Sequence, residues 1–225
     1  IISKLHDANN HIAVPGFYDD VVLLKDDERA ELAKLDMTES KLKQESGVPG
    51  GWGETGFSLL ERNVARPTME INGLLSGWTG EGAKTVLPAK AMAKISCRLV
   101  ANQNPQKIYE AVKAYVAAVT PPTVFSEVKL ITAAFPAMVE IDTPEMQAAG
   151  RAYEQDWGAA PVFVRAGGTL PVVADLKGEL DLSSILMNYG LPNDGAHGPD
   201  ERYSLELFHR GIKTAIGFLE ELSKR

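Results

Sequence analysis

The spacing of apolar residues along this chain switches between a period of two and a period near four, and the switches outline its elements. Residues 68–75 alternate apolar with polar and are bounded by glycine, which predicts a strand. Residues 91–100 alternate more cleanly. Ala93, Ile95, Cys97 and Leu99 fall on one face, and Lys94, Ser96 and Arg98 on the other. Asn104-Pro105 reads as a helix N-cap followed by proline at the first helical position. Ile108, Val112, Tyr115 and Val119 supply the stripe of that helix, which runs out to Pro121-Pro122. Residues 124–133 read as a third strand. Strand, strand, helix, strand with one apolar face predicts a sheet backed by helices on one side, an α+β layer.

Ahead of this series, residues 26–44 are rich in charge, Leu and Ala and predict an exposed helix or two short ones. Gly47-Val48-Pro49-Gly50-Gly51-Trp52-Gly53 is a breaker cluster, and residues 57–64 predict a short helix stopped before Pro67. The chain opens with Ile1-Ile2-Ser3-Lys4-Leu5, which reads like the last turns of a helix whose start is missing. A processed protein, or a piece of something longer, is therefore expected.

The composition changes near Phe135-Pro136, and a domain boundary is expected at about 136–141. Thr143-Pro144 starts a helix to Trp157. Val162-Phe163-Val164 predicts a short buried strand, Gly167-Gly168-Thr169 opens a helix through Lys177, and residues 184–188 predict another short strand. Phe208, Ile212, Ile216, Leu219 and Leu222 form the stripe of a terminal helix. Helices alternating with short apolar strands indicate an α/β layer.

Charge narrows the function. Residues 1–140 carry 15 Lys+Arg and 17 Asp+Glu, and residues 141–225 carry 8 and 13, within a net charge of −7. Neither part has the basic surplus that binding to a phosphate backbone requires, so no nucleic-acid partner is expected. No apolar run approaches the roughly 20 residues that span a bilayer, so no membrane partner is expected either. The single cysteine, Cys97, excludes a disulfide within the chain and fits a reducing, cytoplasmic setting.

Three segments could carry chemistry. Gly195-Ala196-His197-Gly198-Pro199-Asp200-Glu201 holds a histidine on a glycine-rich turn between acids, the setting of a metal ligand, or else of a solvated loop histidine. Arg165-Ala166-Gly167-Gly168-Thr169-Leu170-Pro171 lies between a predicted strand and a predicted helix. Its amides, the Thr169 hydroxyl and the Arg165 charge suit a carboxylate; a plain N-capped turn is the alternative. Gly80-Glu81-Gly82-Ala83-Lys84-Thr85 fails as a phosphate-binding loop, because the glycine spacing and the strand–loop–helix context are absent. Arg98 alone reads as a sheet-surface arginine and Cys97 as core. His6, His11 and His209 have no partner at metal-ligand spacing, and Ser76 is not in a nucleophile elbow.

Together these segments resemble the cocatalytic-zinc exopeptidases that include carnosinase-type dipeptidases, carboxypeptidase G and succinyl-diaminopimelate desuccinylase. Gly82-Ala83-Lys84-Thr85-Val86-Leu87-Pro88, with Ile95-Ser96-Cys97-Arg98-Leu99-Val100 after it, resembles the central hairpin of that family's lid. Arg165 to Pro171 resembles its Arg-x-Gly-Gly-Ser-Ile-Pro loop, and Asp194-Gly195-Ala196-His197 its last metal-binding turn. The resemblance implies a ferredoxin-like dimerisation (lid) domain over residues 1–138, without its first strand and most of its first helix. The C-terminal part of an α/β zinc-exopeptidase domain would follow over 139–225. It implies that His197 is a metal ligand, that Arg98 binds the substrate carboxylate with help from Thr85, and that Gly168, Thr169 and Arg165 receive the substrate. Two Zn2+ per site are implied, with Mn2+ or Co2+ also compatible. The implied substrates are small peptides or acyl-amino acids, and the implied assembly is a homodimer through the lid.

The other zinc ligands of that family, its general base and its oxyanion-stabilising lid histidine match nothing in residues 1–225 and would lie upstream of Ile1. The chain therefore reads as the C-terminal part of a dinuclear metallohydrolase that cleaves amide bonds next to a free carboxylate. A noncatalytic dimerisation or scaffold protein derived from the family is the alternative. Residues 1–225 expressed alone are expected to bind no zinc pair and to hydrolyse no peptide, since each metal needs three or four ligands. Metal analysis by mass spectrometry checks this, and two equivalents of bound zinc would refute it.

Overall fold

Residues Thr68–Ser76 (β1) and Ala91–Arg98 (β2) pair antiparallel, with Thr68 opposite Arg98 and Ser76 opposite Ala91. The computed structural model describes residues 1–165 and 170–224. The register steps between Ile71 and Gly73, so that Asn72 is the extra residue of a β-bulge. The bulge keeps Met69, Ile71 and Leu74 opposite Cys97, Ile95 and Ala93, so one face of the ladder stays apolar along its length.

The helix Pro105–Val119 (α4) begins where the Asn104 side chain accepts the N–H groups of Gln106 and Lys107. Its buried stripe is Ile108, Val112 and Val116, spaced at i, i+4 and i+8. Val116 thus takes the place expected for Val119. These residues join Leu5, Ile12, Val14, Phe17, Met69 and Leu99 in one core. Burial of each such side chain contributes roughly 1.5–3 kcal/mol.

Residues 124–133, expected as a third strand of this sheet, form no ladder with the described residues. A strand needs a neighbour with which to exchange backbone hydrogen bonds. This segment instead runs beside α4, where the Tyr109 hydroxyl donates to the Val128 carbonyl at 3.2 Å, and Phe125 and Ile131 face solvent. The expected short strands at 162–164 and 184–188 likewise form no ladder among the described residues, for the same reason.

The chain divides into two compact units. Ile1–Leu23, Gly53–Pro136 and, of the described residues, 170–171 belong to the first; Leu24–Trp52, Ala137–Arg165 and the chain from Val172, which carries most of the helix Pro171–Leu180 (α6), belong to the second. The sequence pattern assigns all of 1–138 to one domain, whereas the charged Leu24–Trp52 segment groups with the second unit. That segment holds two short helices, Asp26–Leu32 (α1) and Glu39–Ser46 (α2). Its departure from the first unit is closed at the base. Thr55 N–H donates to the Asn9 carbonyl at 2.9 Å, and the Asn10 side-chain amide donates to the Gly53 carbonyl at 3.1 Å.

Beside that base lies a buried ion pair. The short helix Leu59–Val64 (α3), capped by Ser58, delivers Arg66 to Glu54. The Arg66 fork meets the Glu54 carboxylate at 2.7 and 2.8 Å, and both side chains are 8% exposed. The guanidinium lies over the rings of Phe57 and Tyr18, at 4.3 and 4.9 Å. His11 stacks on Tyr18 at 3.9 Å, and its Nδ1 meets Glu54 Oε1 at 2.8 Å. His11, without a partner at metal-ligand spacing in the sequence, is thus held by a carboxylate and a ring.

In the second unit, Pro144–Trp157 (α5) packs on Leu205–Ser223 (α7) through small residues. Ala148, Ala149 and Ala152 of α5 are buried, as are Gly211 and Thr214 of α7. Trp157 donates to the Thr214 hydroxyl at 2.8 Å, and Arg151 pairs with Glu221 at 2.6 Å. Gly211 meets the Tyr189 ring, where a Cβ would come within 2.9 Å. The expected apolar stripe of α7 turns the other way over most of its length: Phe208, Ile212, Ile216 and Leu219 are exposed, and Leu222 near the helix end is half-buried. Periodicity identifies an amphipathic helix but not the face that close helix–helix approach selects, and here small side chains select it.

Breaking the Arg66–Glu54 pair leaves a buried carboxylate without its counter-charge. Arg66→Ala is expected to cost about 3–5 kcal/mol in urea unfolding near neutral pH. Burial pushes the Glu54 carboxyl up, but the hydrogen bonds from Arg66 and His11 outweigh it and hold the group below its usual 4.5. Its contribution is therefore present above about pH 4.5 and is lost as pH falls through the lower folded value. Wild type should lose stability on acidification over that window, and Arg66→Ala should lose less. Parallel urea melts at several pH values measure both.

Candidate functional site

The glycine-rich turn that carries His197 is tied by one buried acid. Asp194, 8% exposed, accepts the Leu191 N–H on its carboxylate at 2.7 Å, and its carbonyl accepts the Arg202 N–H at 2.9 Å. These two bonds pin both ends of the stretch from 191 to 202. Between them Gly198 N–H donates to the Gly195 carbonyl at 2.8 Å, closing a tight turn. Gly195 sits at φ +70°, as only glycine does without cost, and His197 is also left-handed, at φ +64°. His197 is exposed. A left-handed histidine is held there by the bonds around it, and such positions concentrate at functional sites.

Arg98 is the last residue of β2, exposed and opposite Thr68. Thr85 is exposed in the connection that precedes β2. That connection is ordered locally by Lys84 over the Trp78 ring at 4.7 Å and by the Val86 N–H to Lys84 carbonyl bond at 3.0 Å. Both residues therefore flank one strand of the first unit. Gly168 and Thr169 lie outside the described residues.

Arg165 differs from the other candidates. Its Nε donates to Glu28 Oε1 at 2.7 Å and its Nη2 to Glu28 Oε2 at 2.7 Å, a two-pronged pair. Nothing in the sequence points to Glu28, because a partner 137 positions away leaves no periodic or spacing signal. Asp194 stands in sequence beside the glycine-rich turn, but no sequence signal shows that it ties the turn together. Cys97 faces the core side of the sheet, and burial raises its thiol to about 12, which keeps it protonated and unreactive.

Among the described residues, no group of three or more His, Cys, Asp or Glu side chains is placed to hold a metal ion. His197 can supply one ligand, and the residues described do not complete a site around it. No described helix is long and apolar enough to cross a membrane.

A family profile described as a peptidase dimerisation domain matches residues 1–124. The Cys-Gly metallodipeptidase of Schizosaccharomyces pombe is 31% identical over 230 residues, covering 99% of this chain and 48% of that protein. An M20 family metallo-carboxypeptidase from Sulfolobus solfataricus superposes with a TM-score of 0.81 at 27% identity, over 97% of this chain and 50% of that one. Human carnosine dipeptidase 1 superposes at 0.83 and 26%, over 100% and 48%. The chain spans about half the length of the curated relatives it matches.

The turn geometry makes a prediction about stability alone. His197→Gly removes an exposed ring from a left-handed position that glycine adopts freely, so stability should stay level or rise by up to about 1 kcal/mol. A loss greater than about 1 kcal/mol in a thermal melt would assign the imidazole a structural contact.

Proposed function

Because the chain belongs to the M20 peptidase dimerisation-domain family, we propose that it forms the lid and C-terminal part of a dinuclear zinc metallohydrolase of the dipeptidase type. The substrates are dipeptides or N-acyl amino acids with a free carboxylate. The observation that carries this reading is likeness over essentially the whole chain to proteins named as metallodipeptidase and metallo-carboxypeptidase. The exposed, left-handed His197 on its tied turn supports it. The lid lies within 1–138 in this reading, interrupted by the 24–52 segment that groups with the second unit, and it joins two copies into a homodimer; the enzyme is cytoplasmic.

His197 is one metal ligand, and the remaining ligands and the general base come from protein outside these 225 residues. When bound, the metals would polarise the scissile carbonyl and activate water. This chain's own residues bind and orient. Arg98 forks the terminal carboxylate, a charge-assisted bidentate contact that fixes the distance from carboxylate to scissile amide. Thr85 adds a hydroxyl beside it. Gly168 and Thr169 present amide and hydroxyl donors to the substrate, and Arg165 belongs to the same loop.

Arg98→Ala, in the full reading frame that carries this chain, is expected to lower kcat/KM on a free dipeptide by about 2–4 kcal/mol, roughly 30- to 1,000-fold. A C-terminally amidated analogue should change far less. Steady-state kinetics on the two substrates decide it: equal losses would make Arg98 structural. No hydrolysis by the wild type, with metal supplied, would favour a noncatalytic dimerisation protein.

A further inference from the structure

Thr68 and Arg98 face each other across the first rung of the β1–β2 ladder. Residues directly opposite in such a pair point to the same face, with their Cβ atoms about 4.5–5.5 Å apart. The face that they share is the polar one, away from Met69 and the core. The Thr68 hydroxyl is nonetheless shut off from solvent, and it makes no hydrogen bond with any described residue. Folded proteins keep few buried hydroxyls in that state, because each has given up water for nothing.

The surroundings leave Arg98 as its natural partner. Glu70, one rung along the same face, is the diagonal neighbour of Arg98 and within reach of a long side chain. Its carboxylate is taken instead on its own rung, where the Ser96 hydroxyl donates to it at 3.3 Å. Among the described residues no acid forks the Arg98 guanidinium, whereas Arg66 and Arg165 each meet a carboxylate at 2.7 Å. Thr68 also stands on fixed backbone. Arg66, two positions earlier, is locked by its buried pair with Glu54, and the ring of Pro67 between them sets φ there.

A guanidinium carries more N–H donors than a two-pronged contact with a carboxylate uses, and a threonine oxygen can accept one of those left over. We propose that Thr68 is a positioning residue for Arg98: its oxygen accepts a spare guanidinium N–H when the fork turns to face a substrate carboxylate, and so fixes the plane of the fork. The inference rests on the reading of Arg98 as the carboxylate clamp. It gives the orphaned hydroxyl opposite effects on stability and on function. In the chain alone the hydroxyl is a liability, and with substrate in the clamp it is satisfied.

The test is a double-mutant cycle in the full reading frame that carries this chain, with metal supplied: Thr68→Val, Arg98→Ala and the two combined, each assayed on a free dipeptide and on its C-terminally amidated analogue. Thr68→Val keeps the shape of the side chain and removes the hydroxyl. Its melting temperature should equal or exceed that of wild type. Its kcat/KM on the free dipeptide should fall roughly 5- to 30-fold, the share of one hydrogen bond to a charged group, and on the amidated analogue by less than about twofold. Thr68→Ser, which restores the oxygen, should recover most of the loss. In the Arg98→Ala background, Thr68→Val should change the rate on the free dipeptide by less than about twofold, since its partner is already gone. Thr68→Ala, which also lacks the hydroxyl, takes its place in the cycle if Thr68→Val does not fold. Equal losses on the two substrates would overturn the inference by making Thr68 a packing residue. So would a loss that persists in full without Arg98, or a Thr68→Val protein as active as wild type on the free dipeptide. A wild type that hydrolyses neither dipeptide nor N-acyl amino acid, or an Arg98→Ala protein with equal losses on both substrates, would instead overturn the reading of Arg98, and the inference with it.

Discussion

The buried pairing of Glu54 with Arg66 is the constraint on which the first unit depends. A carboxylate out of water is tolerable only with its counter-charge in place, and here both ions are walled in by Tyr18, Phe57 and His11. The pair joins three stretches of chain: the loop around His11, the return at Glu54 and the entry to β1 at Arg66. Because a shift in any of them would strand a charge, the ends of the 24–52 excursion are held in register by more than apolar packing. Two further hydrogen bonds, at Asn9–Thr55 and Asn10–Gly53, share that work.

What the sequence makes legible is what is local. Asn104-Pro105 and Thr143-Pro144 start helices because the cap acts on amides two and three residues away, and both helices begin where those signals stand. Alternation marks β1 and β2 because each has the other as a neighbour. Alternation misleads at 124–133, and short apolar runs mislead at 162–164 and 184–188, where β-type composition is present but no described segment lies alongside to make a ladder. The outward turn of the α7 stripe is illegible for a related reason: a period shows that a face is apolar, not what covers it.

The candidate site divides in the same manner. The glycine-rich turn at His197 stands out in the sequence, since glycine spacing and a metal-type residue are local signals. Its tie to Asp194 and its left-handed backbone are not legible there. Glu28 is invisible, because pairing across a long stretch of chain follows from the fold and leaves no mark in either segment. Arg165 is legible as a charge beside a loop, and only coordinates show that an acid already engages it.

The excursion at 24–52 also has a consequence in time. Glu28 leaves the ribosome 137 positions before Arg165, a delay of roughly 7–27 s at the usual synthesis rate of about 5–20 residues per second. In that interval the first unit can gather its core around residues 1–23 and 53–119, while the inserted segment waits for helices not yet made. A segment that must wait in water should be one that water tolerates, and α1 and α2 are mostly Asp, Glu, Lys and Ser with a single buried leucine between them, Leu32. Their polar composition lets one unit of this chain be interrupted by part of the other without leaving an adhesive strand exposed while synthesis continues.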